Sequence, residues 1–139
     1  MRGQDTLFSH KSDEWETPQD FFDKVNEEFD FEIDVASTKE NHKCAGYFTA
    51  EDDGLNQDWG KATVWCNPPY SNIKDWAKKC SEHKGVAVML VPARTDTKWF
   101  HDYCYKKKGV ELRFIKGRLK FSGQGSAPFP SMLVIFRNK

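Results

Sequence analysis

A chain of 139 residues, 38% of them hydrophobic, is sized for one domain around one core. Its 21 basic and 21 acidic side chains cancel to a formal charge of zero, which argues against a generic polyanion binder. No apolar stretch reaches membrane-spanning length, and Met1-Arg2-Gly3-Gln4-Asp5 lacks the character of a signal peptide, so a cytoplasmic protein is expected.

Cys44, Cys66, Cys80 and Cys104 are widely spaced and form no Cys-x-x-Cys pair, so reduced, partly buried thiols are expected. His10, His42, His83 and His101 lie at no metal-ligand spacing, and no metal is expected. The charges are unevenly spread. Acids scatter from Asp13 to Asp58, while bases gather in Lys106-Lys107-Lys108 and Lys116-Gly117-Arg118-Leu119-Lys120. A local basic face of this kind is compatible with DNA contact and equally with a solvated surface.

Residues 1–14 are polar and aperiodic and read as a mobile arm, leaving 15–139 as a single domain. Thr17 is a suitable N-cap and Pro18 a suitable first helical residue for a helix whose Phe21, Phe22, Val25 and Phe29 share one face. Residues 31–36 alternate as a strand, and Ser37 or Thr38 can cap a short helix into Asn41. Asp34, near the carboxyl end of that strand, sits where open α/β sheets hold a ligand's amine or hydroxyls. The Gly-x-Gly phosphate turn of dinucleotide sites is absent, so a cofactor bound here need not carry pyrophosphate. Residues 46–49 form a second short strand, and Asp52-Asp53-Gly54-Leu55 a turn whose acids are either solvated or accept from an adenine amine.

The run Ala62-Thr63-Val64-Trp65-Cys66 reads as a buried strand, stopped by Asn67-Pro68-Pro69-Tyr70 because prolines cannot continue it. The corner offers a side-chain amide, backbone carbonyls and an aromatic ring. Together these suit a planar group bearing an amine: two acceptors take its N–H hydrogens while the ring stacks on it. A plain turn capped by a surface aromatic would also explain Pro-Pro-Tyr taken alone. Ser71 or Asn72 then caps a helix carrying Ile73, Trp76, Ala77 and Cys80. Residues 86–91 are apolar throughout, as in a central parallel strand covered on both faces. The following loop holds Arg94, suited to a phosphate, with Thr95 and Asp96 near the start of a helix bearing Trp99, Phe100 and Tyr103. Strands over 110–115 and 132–136 close the chain. Between them, 116–131 mixes basic and aromatic residues in a connection long enough to reach a DNA groove.

The tetrapeptide 67–70 resembles the catalytic motif of amino-methyltransferases acting on adenine, cytosine or a glutamine amide. From Trp15 to Phe136 the chain resembles the phage-type DNA N-6-adenine methyltransferases. The likeness is carried by Trp15-Glu16-Thr17-Pro18, Ile33-Asp34-Val35-Ala36, Asn41-His42-Lys43-Cys44, Tyr47-Phe48-Thr49 and Asp53-Gly54-Leu55. It continues in Trp65-Cys66-Asn67-Pro68-Pro69-Tyr70-Ser71, Pro92-Ala93-Arg94-Thr95-Asp96-Thr97 and Gly117-Arg118-Leu119-Lys120-Phe121.

The resemblance implies a Rossmann-like class I methyltransferase: an α/β fold with a mostly parallel sheet, helices on both faces and an antiparallel last strand. It implies S-adenosylmethionine as cofactor. Thr17 with Pro18 would meet the cofactor's carboxylate, Asp34 and Ala36 its methionine end, and Asp53 its adenine amine; Asn41 is the candidate ribose contact. Asn67 and Pro68 would hold the target amine, Pro69 the cofactor side, and Tyr70 the flipped base. Arg94, Thr95, Asp96, Lys116, Arg118, Lys120 and Ser131 would contact double-stranded DNA. The glycine-rich first motif of larger methyltransferases and a separate target-recognition domain are both absent, and a homodimer could supply the missing surface. Two rivals remain at this point: a protein-glutamine methyltransferase and a non-catalytic DNA-binding remnant.

Overall fold

The computed structural model describes residues 16–121 and 125–138. The arm expected over 1–14, and Trp15, lie outside the described residues. Helix α1 (Gln19–Phe29) leads into strand β1 (Ile33–Ser37), β2 (Gly46–Thr49), β3 (Val64–Cys66), helix α2 (Ile73–Glu82) and β4 (Val86–Pro92). Next come a π-helical turn at Phe100–Cys104, β5 (Val110–Phe114), the short strands β6 (Lys120–Phe121) and β7 (Gly125–Ser126), and β8 (Ser131–Arg137). Six strands form one sheet in the order β2-β1-β3-β4-β8-β5. The pairs β1·β2, β1·β3 and β3·β4 are parallel, while β8 runs antiparallel between β4 and β5. The last strand is therefore antiparallel, as expected. Among the described residues no crossover helix intervenes between β5 and β8, and a parallel return would need one.

Alternation along the central strands sorts the core into two layers. Val64, Cys66, Ala87, Met89, Val91, Met132, Val134 and Phe136 face α2 and the π-turn. Trp65, Val88, Leu90, Leu133 and Ile135 face α1. A strand buried on both sides must be apolar at every position, which is why β4 and β8 carry no polar interruption. On the α1 side Phe22 meets Trp65 edge-on at 5.1 Å, and Phe31 meets it at 5.4 Å. Helix α1 ends where Asp30 turns left-handed (φ 55°), its N–H bonded to the Asn26 carbonyl. All four cysteines are buried free thiols, and burial pushes Cys44 and Cys104 up to about 12.

Several local expectations give way to tertiary structure. Thr17 does not cap α1; Pro18 occupies the cap position with no side-chain bond, and Asn72 likewise makes no cap bond to α2. The helix expected after Thr38 is absent. Residues 38–45 are bends, with the Asn41 N–H donating to Thr38 Oγ1 at 2.9 Å in an isolated turn. So short a link between parallel neighbours works because β1 and β2 have only five and four residues, so little length must be retraced. The segment 116–131 is not wholly irregular: β6 and β7 pair antiparallel, and Ile115, Leu119 and Phe129 pack on the α1-side core. Among the described residues no helix is long and apolar enough to cross a membrane.

The two basic clusters do not make one face. Strand β5 runs parallel to β4, with Val110 level with Phe136 and Phe114 level with Met132. Lys106-Lys107-Lys108 therefore precedes β5 at one edge of the sheet, and Lys116, Arg118 and Lys120 follow it at the other.

On the α1 side of the open edge, Arg113 bonds both oxygens of Glu28 (2.7 and 2.8 Å) and, through Nε, Glu111 (2.6 Å). Arg137 donates to Glu111 at 2.7 Å, and both guanidiniums lie 5.8 Å from the Phe29 ring. Hydrogen bonds from Arg113 and then Arg137 hold the Glu111 carboxyl down to about 2. Because these groups are largely solvated, Arg113→Ala is expected to cost only about 1 kcal/mol in chemical denaturation, less in about 1 M salt. A depressed carboxyl stabilises the fold above its ordinary 4.5, and that contribution disappears towards 2. The difference between wild type and variant should therefore shrink across that window.

Candidate active site

The chain leaves β1 for β2 on one side and returns to β3 on the other, so a crevice opens above the carboxyl ends of β1 and β3. A cavity of about 320 Å³ lies there, within the size range of small-molecule sites. Thr17, Asp34, Ala36, Asn41, Asp53, Asn67 and Pro69 all line it, though the sequence spreads them over fifty positions. Pro18, Pro68 and Tyr70 do not.

Strand β3 delivers the corner. Its three residues are fully buried, and the prolines release the chain at once. Asn67 Nδ2 donates to Thr17 Oγ1 at 3.0 Å. Thr17 is only 2% exposed, so its hydroxyl serves this tertiary contact rather than its own helix. The bond commits the amide nitrogen and sets the direction of Oδ1. The Pro69 carbonyl accepts from the Asn72 N–H at 3.0 Å, closing the 3₁₀ turn Tyr70–Asn72. Tyr70 packs edge-to-face with Phe129, 5.6 Å between centroids. Its hydroxyl is buried with no hydrogen-bond partner among the described residues. Burial raises its pKa, against a smaller pull from the nearby Arg94 guanidinium.

Asp34 is 3% exposed. Its Oδ2 accepts from the Lys43 N–H at 2.9 Å and its Oδ1 from the Ala36 N–H at 3.4 Å, so the carboxylate also pins the β1–β2 link. Burial pushes it up to about 6, against the Lys43 and Ala36 N–H groups and the charges of Lys43 and His42. Asp53 adopts a left-handed conformation (φ 59°) and accepts from Asn56 Nδ2 at 2.6 Å. Asn41 donates to Glu16 Oε2.

Sequence reasoning missed Glu16, Lys43, Gly54, Trp65 and Trp76 as cavity walls. For the two tryptophans the only signal was apolar periodicity, which reports burial and not what the exposed rim faces. Gly54 is set by close approach. A Cβ there would lie 2.2 Å from the Val35 carbonyl oxygen and 3.2 Å from Trp76, while Trp59 Nε1 donates to the Gly54 carbonyl at 2.9 Å.

Of the expected DNA contacts, Arg94, Thr95, Asp96, Lys116, Arg118 and Lys120 are exposed at the same sheet edge as Asn67. Arg118 also donates to the Ala127 carbonyl at 3.3 Å. Ser131 is corrected: 1% exposed and paired with Pro92 as the first residue of β8, it presents no hydroxyl to a groove.

Two outcomes follow from the cavity walls. A carboxyl whose native pKa lies above its ordinary 3.8 costs stability once ionised, and that cost is relieved as pH falls through about 6. Relative to Asp34→Asn, the wild type should gain about 1 kcal/mol between about pH 7 and about pH 5 in urea titrations. Gly54→Ala should lower stability by about 1–3 kcal/mol, because main chain rather than a rotamer must give way; an unchanged urea midpoint would count against the packing described.

Residues 4–138 match the family described as DNA N-6-adenine-methyltransferase (Dam). Over 112 residues, 77% of this chain, the sequence is 34% identical to the DNA N-6-adenine-methyltransferase of Escherichia phage T1, and the match spans 46% of that protein. A 65-residue stretch, 42% of this chain, is 40% identical to YfdM of Escherichia coli (strain K12), a protein provisionally named a methyltransferase, and spans 71% of it. With the match running over almost its whole length, the chain belongs to the DNA N-6-adenine-methyltransferase (Dam) family.

Proposed function

We propose that this protein transfers a methyl group from S-adenosylmethionine to the N6 amine of adenine in double-stranded DNA. The observation that carries the reading is the Thr17–Asn67 hydrogen bond, which fixes the start of the Asn67-Pro68-Pro69-Tyr70 corner at the cavity, where Asn67 and Pro69 form part of the wall. Family membership and the phage relative's name support adenine in DNA over a glutamine amide. The parallel β1, β2, β3 and β4, helices on both faces and antiparallel β8 support a Rossmann-like class I fold over 15–139. A phage or prophage protein working in the bacterial cytoplasm fits this reading, and a homodimer could complete the DNA-reading surface.

The cavity suits such a cofactor. Asp34 offers a carboxylate for an ammonium and Asp53 one for an adenine amine. Trp65 and Trp76 add apolar wall, and Thr17 a hydroxyl. Once bound, the cofactor supplies a methyl group already activated on a sulfonium.

The residues of the corner do the rest by position. An adenine inside a duplex must first be unstacked, at roughly a few kcal/mol, and stacking on Tyr70 returns about 1–3 kcal/mol. The amine's lone pair is delocalised into the ring. Asn67 Oδ1 and the Pro68 carbonyl accept its two hydrogens, which favours a pyramidal nitrogen with its lone pair free to attack. Positive charge growing on that nitrogen meets two dipoles held in place beforehand.

Transfer of radiolabelled methyl to unmethylated DNA, with nucleoside analysis, tests the assignment. Label in N6-methyladenine supports it. Label in N4-methylcytosine moves the target base, and label only in protein moves the substrate class. Asn67→Ala is expected to lower the transfer rate at least about a hundredfold with unfolding still cooperative; normal activity would sink the role given to it. Protonating Asp34 removes the charge facing the cofactor's ammonium, so cofactor affinity in calorimetry should fall as pH drops through about 6. The fold itself gains stability over the same range.

A further inference from the structure

Phe114 is 63% exposed, and the only other exposed large apolar side chain among the described residues is Tyr105 at 42%. Tyr105 has ring partners of its own: Phe100 at 5.7 Å, His101 at 5.6 Å and the Lys106 ammonium at 5.4 Å. Among the described residues no ring or cation sits against Phe114, and it belongs to neither core layer. It is also held rigidly, as the last residue of a strand paired residue by residue with β8.

Its position is informative. Phe114 is level with Met132 of β8, which is level with Val91 of β4, while Cys66 of β3 is level with Met89. The phenyl ring therefore stands at the same edge and nearly the same height as the Asn67 corner. Three strand spacings separate them, roughly 14 Å, or about four base-pair steps of a duplex. Lys116, Arg118 and Lys120 follow directly and are exposed, and no described acid pairs with them. Glu111 lies at the other end of β5 and is engaged by Arg113 and Arg137. Asp96 is the exposed acid of the 94–96 loop at this edge.

We infer that Phe114 is a DNA-contact residue, an apolar platform against which a base flanking the unstacked target rests while Lys116 and Arg118 hold the adjoining phosphates. The inference builds on the DNA-methylating reading above. Flipping one base loosens the stack around it, and an aromatic face on a rigid strand can accept what is loosened. A second copy of the chain pairing along β5 would also cover the ring. In a symmetric pairing, which is antiparallel, it would however bring the cations after β5 close to Lys106-Lys107-Lys108 of the second copy, whereas a phosphate backbone complements them.

The test is Phe114→Ser, titrated by fluorescence anisotropy with a duplex that the wild type methylates, over a series of salt concentrations. Loss of stacking is expected to raise Kd about tenfold while the slope of log Kd against log salt stays as in the wild type. Lys116→Gln instead should change that slope by about one, and Phe114→Trp should restore binding. Cofactor Kd and the urea midpoint check the fold, since the substituted side chain is exposed. Wild-type DNA affinity in Phe114→Ser overturns the inference, as does a loss of affinity accompanied by conversion of a dimer to a monomer in sedimentation. A wild-type protein that methylates no DNA overturns the proposed function instead.

Discussion

The structure depends on how abruptly β3 ends. A three-residue strand buried on both faces can be short only because its neighbours β1 and β4 carry the pairing on either side. The two prolines then prevent further ladder bonds, and the chain turns where the sheet still excludes water from below. Asn67 is the last residue before that turn. Its amide reaches Thr17, which in turn fixes the approach of α1 to the sheet. One hydrogen bond between residues fifty positions apart thus ties the first helix to the rim of the cavity. The site is rigid at its centre because the strand beneath it has no freedom to slide.

The opposite wall is built by close approach. Gly54 brings main chain against the Val35 carbonyl with no room for a methyl group, and Trp59 locks it there through an indole hydrogen bond. Trp59 lies 6.4 Å from Trp76, nearly parallel to it, so the tryptophans that line and support the cavity are themselves part of the core. Asp34 joins the two walls. It is nearly buried, its charge is costly, and its oxygens accept from the backbone of the β1–β2 link. A neutral residue would be cheaper at that place, and the Lys43 and Ala36 N–H groups offset part of that cost.

What burial dictates was legible in the sequence; what tertiary competition decides was not. Strands β4 and β8 could be read from unbroken apolar runs, and α1 and α2 from one apolar face each, because no alternative placement hides those side chains. Capping failed as a guide. A hydroxyl near a helix start can serve its own helix or a distant amide, and local sequence cannot distinguish the two, as Thr17 illustrates. The short helix expected after Thr38 lost to Asp34, whose carboxylate takes the Lys43 N–H into a tertiary bond. Ser131 looked available beside basic residues, yet one register step of a strand separates a groove-facing hydroxyl from a buried one. Ala36, Asn41, Asp53, Asn67 and Pro69 converge because they end or follow strands at one edge of a parallel sheet, a topological rule rather than a local one, whereas Thr17 precedes α1 and Asp34 is the second residue of β1.

Charge makes the same point. Read along the chain, the second half is basic, and its two lysine-rich stretches invite description as a single face. A five-residue strand lies between them, and a strand carries the chain from one edge of the sheet to the other. The stretch at 116–120 therefore shares an edge with Asn67, Tyr70 and Arg94, and the stretch at 106–108 does not. On a protein of zero net charge, attraction for a polyanion comes from such local concentrations and fades within about 8 Å at physiological salt. Of the two clusters, only the one after β5 lies at the edge that carries the cavity. The same strand that separates the clusters ends in Phe114, so the rigid element sorting the charges also presents the exposed ring beside them.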